Sequence, residues 1–410
     1  MHDVVIIGAG AAGIACAKEA ASSGLKTILI EKKADTFGGI CLNAGCIPTK
    51  SFINSSKLKT SWQNAHKESR EIVERVKGPA LKFLRSQGIE IIWGQAKFLD
   101  KNTLLVGQKQ IKASNIIIAT GSLPKVIAKH PKVITSENLI TSLDLPEKIF
   151  IIGAGYIGIE FASLLHGFGK RVIVVEKEEN ILPNFDSYFS RRLRIILEKK
   201  GIKIETGKDI NDYDFDDFDV IISAVGRKPN SEGLDFDNAG VLTDPSGWIK
   251  TDERMRTNIA NIYACGDVNG KKLLAYIAEY QARICINAIL GSPVEEDYKA
   301  VPECVFSIPS VAKVGILEDE AKSKGVKHTT IRSNFSKFSS SYPYKDEDGF
   351  VEILADDHNN IIGAGIISQA AGELISLFAV CIKNNLKIND LEKCLFVHPT
   401  LSEIMPLVLK

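Results

Sequence analysis

The chain has 410 residues, 45% of them hydrophobic and 25% charged, with a net charge of +1. That length exceeds one ordinary core and implies two or three domains, while the near-neutral charge offers no global field for nucleic acid or an anionic membrane. No stretch is apolar for long enough to span a bilayer, no signal peptide precedes the first core strand, and eight cysteines without an export signal point to a reducing, cytoplasmic setting.

Residues 3–13 read DVVIIGAGAAG: a short apolar strand, then Gly8, Gly10 and Gly13 in GxGxxG spacing, then a helix pattern to about Ser23 and the strand TILIE ending at Glu31. This is a Rossmann βαβ unit. The first glycine makes the tight turn, the second admits a pyrophosphate, and the third lets helix pack on strand. The helix N-terminus presents free N–H groups to phosphate, and Glu31 is placed to accept hydrogen bonds from an adenosine ribose.

Immediately downstream, GGICLNAGCIPTK (38–50) sets Cys41 and Cys46 five positions apart. In an ideal helix such Cα atoms lie ~8.6 Å apart, whereas a relaxed disulfide wants roughly 4.4–6.8 Å. A bridge therefore needs a distorted turn, which Gly45 and Pro48 can supply, and strained bridges are the readily reduced kind. Two thiols beside a dinucleotide site point to a dithiol–disulfide couple that exchanges electrons with the bound cofactor.

The first pattern then recurs. IFIIGAGYIG (149–158) gives Gly153, Gly155 and Gly158, and RVIVVE ends at Glu176, the same distance past the last glycine as Glu31 in the first copy. A carboxylate there pairs with a free ribose 2′-OH and repels a 2′-phosphate, so NAD is preferred over NADP, with Lys177 working against that preference. IIIATGS (116–122), VIISAVGRKPN (220–230) and NIYACGDV (261–268) are apolar strands running into turns; the last ends at Asp267, where a carboxylate can grip a polyol chain. DINDYDFDDFD (209–219) reads as a solvated acidic loop. From about Val301 the texture changes to an α+β module, with a hairpin over 350–368 turning at Asn359–Asn360 and a helix over 372–386. The module ends in HPTLSEIMP, placing His398 five positions before Glu403; histidine is the natural acid/base near neutrality, and a carboxylate fixes its tautomer. Cys16, Cys265, Cys285, Cys304, Cys381 and Cys394 read as small buried hydrophobes.

Taken in order, GAGAAG, GGICLNAGCIPTK, GAGYIGIE, VGRKPN, ACGDV and HPTLSE resemble the FAD-dependent pyridine nucleotide–disulfide oxidoreductases over essentially the whole chain, and CLNxGCIPxK with HPTLSE is similar to the dihydrolipoamide dehydrogenases among them. The resemblance implies an α/β fold with two Rossmann-like dinucleotide-binding domains and a C-terminal α+β dimerisation domain. The FAD domain would cover 1–145, with a return segment at 263–299, the shortened NAD domain 146–262, and the dimerisation domain 300–410.

The resemblance also implies roles. Cys41 would be the thiol that meets substrate and Cys46 the one against the flavin, with Lys50 near the flavin and paired to Glu160. FAD would be held by Gly8, Gly10, Ala12, Gly13, Glu31, Lys32, Gly39, Lys50, Ala96, Thr120, Gly121, Ser122, Asp267 and Ala275. NAD would be held by Gly153, Gly155, Tyr156, Ile157, Gly158, Glu176, Gly226 and Arg227. No residue is assigned to a metal. His398, oriented by Glu403, would serve as base toward the disulfide of the other subunit of a homodimer. The implied reaction oxidises dihydrolipoamide on a lipoyl domain, supplied in trans by a 2-oxoacid dehydrogenase or glycine cleavage complex, and reduces NAD⁺.

The chain departs from the family pattern in four places. Ile40 stands for a usual Thr, Phe396 for the first His of HxHPT, and Tyr276 for a usual His. The missing length falls mainly between Glu205 and Val220, where a meander of the NAD domain is expected. The rival readings are another disulfide reductase of the family, against which Glu176 and GCIPTK argue, and a catalytically silent docking subunit, which predicts loss of a catalytic residue.

Overall fold

A computed structural model describes residues 2–409. β1 (His2–Ile7), α1 (Ala11–Ser22) and β2 (Thr27–Glu31) build the first unit. Val4 to Ile7 and Ile28 to Ile30 are buried throughout, as continuous apolar runs are when helices cover both faces of a parallel sheet. The chain then runs through α2 (Gly39–Asn43), α3 (Cys46–Lys57) and the long α4 (Trp62–Ser86). Next come β3 (Glu90–Trp93), β4 (Ala96–Asp100), β5 (Thr103–Val106) and β6 (Lys109–Ile118). These strands form one sheet in the order β3-β2-β1-β6-β5-β4; β3, β2, β1 and β6 run parallel, and β4 to β6 form an antiparallel edge.

After β7 (Ser122–Pro124) the chain enters a second unit: β8 (Val133–Thr135), α5 (Ser136–Thr141), β9 (Lys148–Ile152), α6 (Tyr156–Gly167), β10 (Arg171–Glu176), α7 (Ser187–Lys199), β11 (Lys203–Thr206) and β12 (Val220–Ser223). Its sheet is wholly parallel in the order β11-β10-β9-β12-β8. β13 (Arg227–Pro229) returns antiparallel to β7, so the entry and exit strands form a small ribbon between the units. β14 (Ile262–Ala264) then joins β6 in the first sheet, and α8 (Ala275–Ile289) packs on α1.

The expected boundaries need correction. β8 and α5 precede residue 146 yet belong to the second unit. Leu234, Ala239, Val241 and Ile249, expected in the NAD domain, bury among Val5, Ile116 and Ile262 in the first. The second unit therefore lies between the two strands of the β7–β13 ribbon. The fingerprints mark the nucleotide-binding turn of each unit; where the chain crosses from one unit to the other is set by long-range pairing that local pattern does not encode.

The last unit is an antiparallel sheet of β15 (Glu303–Val305), β16 (Ser310–Gly315), β17 (Thr329–Asn334), β18 (Phe350–Ala355) and β19 (Ile361–Ser368), in the order β15-β16-β19-β18-β17. α9 (Glu318–Ser323) follows β16, and α10 (Ala371–Lys383) buries Leu374, Ile375 and Phe378 against the sheet. The β18–β19 turn carries Asn359 at φ +63°, the left-handed conformation that asparagine tolerates.

Between β11 and β12 two 3₁₀ turns, Ile210–Asp212 and Phe215–Asp217, take the place of a meander. Tyr213, Phe215 and Phe218 close on the buried Phe150 with centroids at 5.1, 5.8 and 4.7 Å. The intervening aspartates stay outward: Asp209 and Asp214 accept from the N–H groups two residues on, and Asp219 accepts from Glu147 and Lys148. The run is thus solvated on one side, as its charge indicates, and adhesive on the other. Phe218→Ala should destabilise the fold, by less than the ~3–5 kcal/mol of a fully buried Phe→Ala because Phe218 is half-buried; urea unfolding of the variant checks this.

Candidate active site

The two fingerprints have nearly superposable backbones. Gly8 and Gly153 lie at φ +102° and +99°, and a Cβ on either would come within 2.5 or 2.7 Å of the carbonyl of Ala119 or Ala224. A Cβ on Gly13 or Gly158 would lie 1.8 or 1.9 Å from the carbonyl oxygen of Gly8 or Gly153. The second glycines differ in kind: a Cβ on Gly10 would meet only Gly39 Cα, at 3.8 Å, and one on Gly155 nothing within 4 Å. Both helices start without a side-chain cap, leaving the orphan N–H groups of their first turns open.

Glu31 accepts from the backbone of Ala9 (2.6 Å) and Lys32 (2.9 Å) and from Thr36 Oγ1 (2.7 Å). Glu176 accepts from Ala154 N (2.7 Å) and Glu178 N (3.1 Å). A carboxylate has about four acceptor positions, so each retains capacity for a ribose hydroxyl. Lys177 is exposed, with its ammonium 3.5 Å from Glu178. The open second glycine, uncapped helix and spare carboxylate of each unit fit a dinucleotide.

The cysteine pair sits at a helix break. α2 ends at Asn43, Ala44 and Gly45 leave helical geometry, and α3 starts at Cys46. A Cβ on Gly45 would lie 2.9 Å from the Ile40 carbonyl oxygen and 3.1 Å from Cys41 Cα, so the chain doubles back onto Cys41 only because residue 45 has no side chain. Pro48 falls in the first turn of α3, where its missing N–H is an orphan anyway. Both thiols are free. The hydrogen bond that Cys41 donates to Cys46 is the main reason the Cys46 pKa is lowered; the same bond, and then burial, raise that of Cys41. Of the two thiols, Cys46 is thus the one that ionises more readily.

Lys50 lies one turn further along α3, but a direct ion pair with Glu160 is absent: its Nζ sits 4.1 Å from the centre of the Phe306 ring. Glu160 accepts from the Phe306 N–H at 2.8 Å, and burial pushes its pKa up to about 7 against that bond and the Lys50 charge. Phe306, just after β15, therefore positions both partners, and nothing in its local sequence marks it. Cys304 is also close to this group, but burial pushes its pKa up to about 12, which leaves it an inert thiol.

Asp267, just beyond β14, accepts from Ser122 Oγ at 2.6 Å, and burial raises its pKa. Thr120 Oγ1 is buried without a partner, as a hydroxyl awaiting a ligand would be. Gly121 and Gly226 hold φ of +74° and +100° at the two turns. Ala275 is half-buried at the start of α8, and Lys32 is exposed. Ala12 packs under Gly266, whose Cβ would meet it at 3.0 Å, and Ala96 is in the core. Gly39 closes on Gly10, and Ile157 is half-buried in the first turn of α6. Tyr156 donates to Glu303 and Tyr276 to the Pro302 carbonyl. Arg227 bonds Ser122 and Glu137 instead of facing the second fingerprint.

His398 is held through Nδ1 by both Glu403 oxygens, at 3.0 and 2.9 Å, so its Nε2 points away. Its side chain is 71% exposed, and its neighbours Leu395 and Val397 are 99% and 74% exposed. The imidazole, aligned by a carboxylate between exposed apolar residues, is presented outward. Of the remaining cysteines, Cys16, Cys265, Cys285 and Cys381 are buried, but Cys394 is exposed, contrary to the sequence reading. No group of His, Cys, Asp or Glu suited to a metal occurs among the described residues, and none of their helices is long and apolar enough to cross a membrane.

Comparison with known proteins adds three findings. Residues 2–282 match the model of the pyridine nucleotide-disulphide oxidoreductases, and residues 301–408 that of their dimerisation domain. A dihydrolipoyl dehydrogenase of Chlamydia trachomatis is 34% identical, the alignment covering 98% of this chain and 95% of that protein, and one of Bacillus subtilis is 30% identical over 98% and 94%. The HOCl-induced flavoprotein disulfide reductase RclA of Escherichia coli superposes with a TM-score of 0.94 at 28% identity, covering 99% of each chain.

The asymmetry of the thiol pair is testable. Because the Cys41 hydrogen bond is the leading cause of the low Cys46 pKa, Cys41→Ala should move the onset of Cys46 alkylation by iodoacetamide to higher pH. Cys41→Ser, which keeps an O–H donor, should move it less. Equal onsets in the two variants would contradict the assignment.

Proposed function

The chain belongs to the pyridine nucleotide-disulphide oxidoreductases, and within that family we propose that it oxidises dihydrolipoamide on a lipoyl domain supplied in trans and reduces NAD⁺. The observation that carries this reading is the Cys41–Cys46 pair at the N-terminus of α3, beside the first fingerprint, combined with an outward-facing His398–Glu403 pair in the dimerisation domain.

The residues supply the chemistry in order. His398, with Nδ1 fixed by Glu403, offers Nε2 to take the proton of a dihydrolipoyl thiol at the cysteine pair of the partner subunit. The thiolate so formed is the attacking species: it bonds to Cys41 Sγ of the oxidised pair while the Cys41–Cys46 bond breaks. The second lipoyl sulfur then displaces Cys41, closing the lipoyl disulfide and leaving Cys41 protonated and Cys46 as thiolate. The readier ionisation of Cys46 supports that end state. FAD and NAD⁺, when bound, carry the electron pair onward. Glu31 and Asp267 would hold the first by ribose and polyol, and Glu176 the second by its ribose. Glu176, with Lys177 drawn to Glu178, disfavours a 2′-phosphate. The presence of Cys41, Cys46, Lys50, Glu160, His398 and Glu403 argues against a silent docking subunit.

The likeness to RclA, a disulfide reductase with a different name, supports a second reading in which another disulfide is the substrate. Titration of the flavin-loaded protein with dihydrolipoamide, followed by NAD⁺, separates the two. A long-wavelength thiolate-to-flavin absorbance and then NADH is the expected result; an oxidised spectrum with dihydrolipoamide but a response to NADPH and a different disulfide overturns the substrate. His398→Gln should lower kcat/KM for dihydrolipoamide by about 10²–10⁴ while leaving NADH oxidation by ferricyanide largely intact, because that reaction needs no thiol deprotonation.

A further inference from the structure

Arg227 opens β13, and its guanidinium reaches across the ribbon to Ser122 on β7 and on to Glu137 of α5. Nε donates to Ser122 Oγ at 2.6 Å, Nη2 donates to the Ser122 carbonyl at 2.8 Å, and Nη1 and Nη2 each lie 3.2 Å from Glu137 Oε1. Ser122 Oγ in turn donates to Asp267 Oδ2 at 2.6 Å. A hydroxyl has one hydrogen and two lone pairs, so accepting from Arg227 leaves its only hydrogen for Asp267 and fixes its rotor. The resulting line Glu137–Arg227–Ser122–Asp267 runs from α5, through the β7–β13 ribbon, to the carboxylate beyond β14. Arg227 and Glu137 are only 14% and 18% exposed, and Ser122 is 4% exposed, so water competes little for these bonds.

We propose that Arg227 is a positioning residue for the polyol-binding carboxylate: through Ser122 it orients Asp267 and keeps it an acceptor, and Glu137 holds Arg227 in that place. Its task is not to bind nucleotide phosphate, since the fork of the guanidinium is already engaged on both sides. This inference rests on the reading of Asp267 as a ligand of the FAD polyol, whose hydroxyls need a deprotonated acceptor.

Burial drives Asp267 toward its protonated form, while the Ser122 hydrogen bond and the Arg227 charge oppose that. The groups facing it are Ser122 on β7, Arg227 on β13 and, at longer range, the Cys46 thiol at the head of α3, whose ionisation Asp267 disfavours. Removing Arg227 leaves burial less opposed, so Asp267 takes up its proton at higher pH and flavin is released at higher pH.

The test compares FAD retention after desalting, from pH 8 to pH 5, in the holoprotein and in Arg227→Met, Arg227→Lys and Ser122→Ala, with folding followed by circular dichroism. Arg227→Met and Ser122→Ala should release FAD at higher pH than the parent, with its Kd at neutral pH raised about ten-fold or more by loss of a charge-assisted or buried hydrogen bond. Arg227→Lys should fall between, keeping charge but losing the fork. The KM for NAD⁺ should not change. Should Arg227→Met misfold, the other two variants carry the comparison. Retention profiles identical to the parent, or a raised KM for NAD⁺ with unaltered retention, would overturn the proposal. Parent protein that neither holds nor takes up FAD would instead overturn the flavin reading, and the tether with it.

Discussion

A Cβ on Gly13 would lie 1.8 Å from the Gly8 carbonyl oxygen, and one on Gly158 1.9 Å from that of Gly153. These two contacts hold each fingerprint helix against its strand, and both nucleotide sites depend on them. With the helix seated, its uncapped N-terminus faces the second glycine, where the backbone is open to a diphosphate. The N–H of the residue between the first two glycines reaches the glutamate at the end of the next strand, Ala9 to Glu31 and Ala154 to Glu176. A larger residue at Gly13 or Gly158 would lift the helix and undo the phosphate cradle and the ribose carboxylate together.

The same device, a backbone approach that excludes any side chain, makes the redox pair. Gly45 lets the chain double back so that Cys46 opens a new helix beside Cys41. Between the two thiols the interaction lowers the pKa of Cys46 and raises that of Cys41. Burial, Glu160 and Asp267 oppose a charge on Cys46, and its partner Cys41 outweighs them; the third thiol, Cys304, is pushed toward its protonated form by burial, and the Lys50 ammonium rests on the Phe306 ring while Glu160 is bound to the Phe306 backbone. The C-terminal unit thus reaches into the site through Phe306 while holding His398, aligned by Glu403, outward. The unit that carries it matches the family's dimerisation domain, which is why the proposed function assigns it to the partner subunit.

The ribbon between the two nucleotide units has a comparable double role. It carries the chain out and back, and through Arg227 and Ser122 it joins α5 of one unit to Asp267 of the other. The segment that replaces the meander is anchored locally: its aromatic residues pack on the buried Phe150, and Asp216 and Phe215 meet Lys132 and His130 ahead of β8.

Local rules settled much of this in the sequence. Glycine spacing, strand-terminal glutamates and the five-residue cysteine spacing are read from short windows, because the geometry they impose is set by neighbouring backbone atoms. The β18–β19 hairpin and the helix after it were legible for the same reason. Tertiary structure alone decided what depends on distant partners. The domain crossing moved to the β7–β13 ribbon through strand pairing across about a hundred residues of chain. Arg227 turned from an expected nucleotide ligand to a buried tether because Glu137 and Ser122 lie beside it only after folding. Phe306 gained its place between Lys50 and Glu160 through packing of the third unit on the second, and the acidic 209–219 run revealed an adhesive face because Phe150 lies beneath it. Charge and polarity predict solvation from the chain itself, whereas which buried donor meets which acceptor is fixed by three-dimensional proximity, which no local window contains.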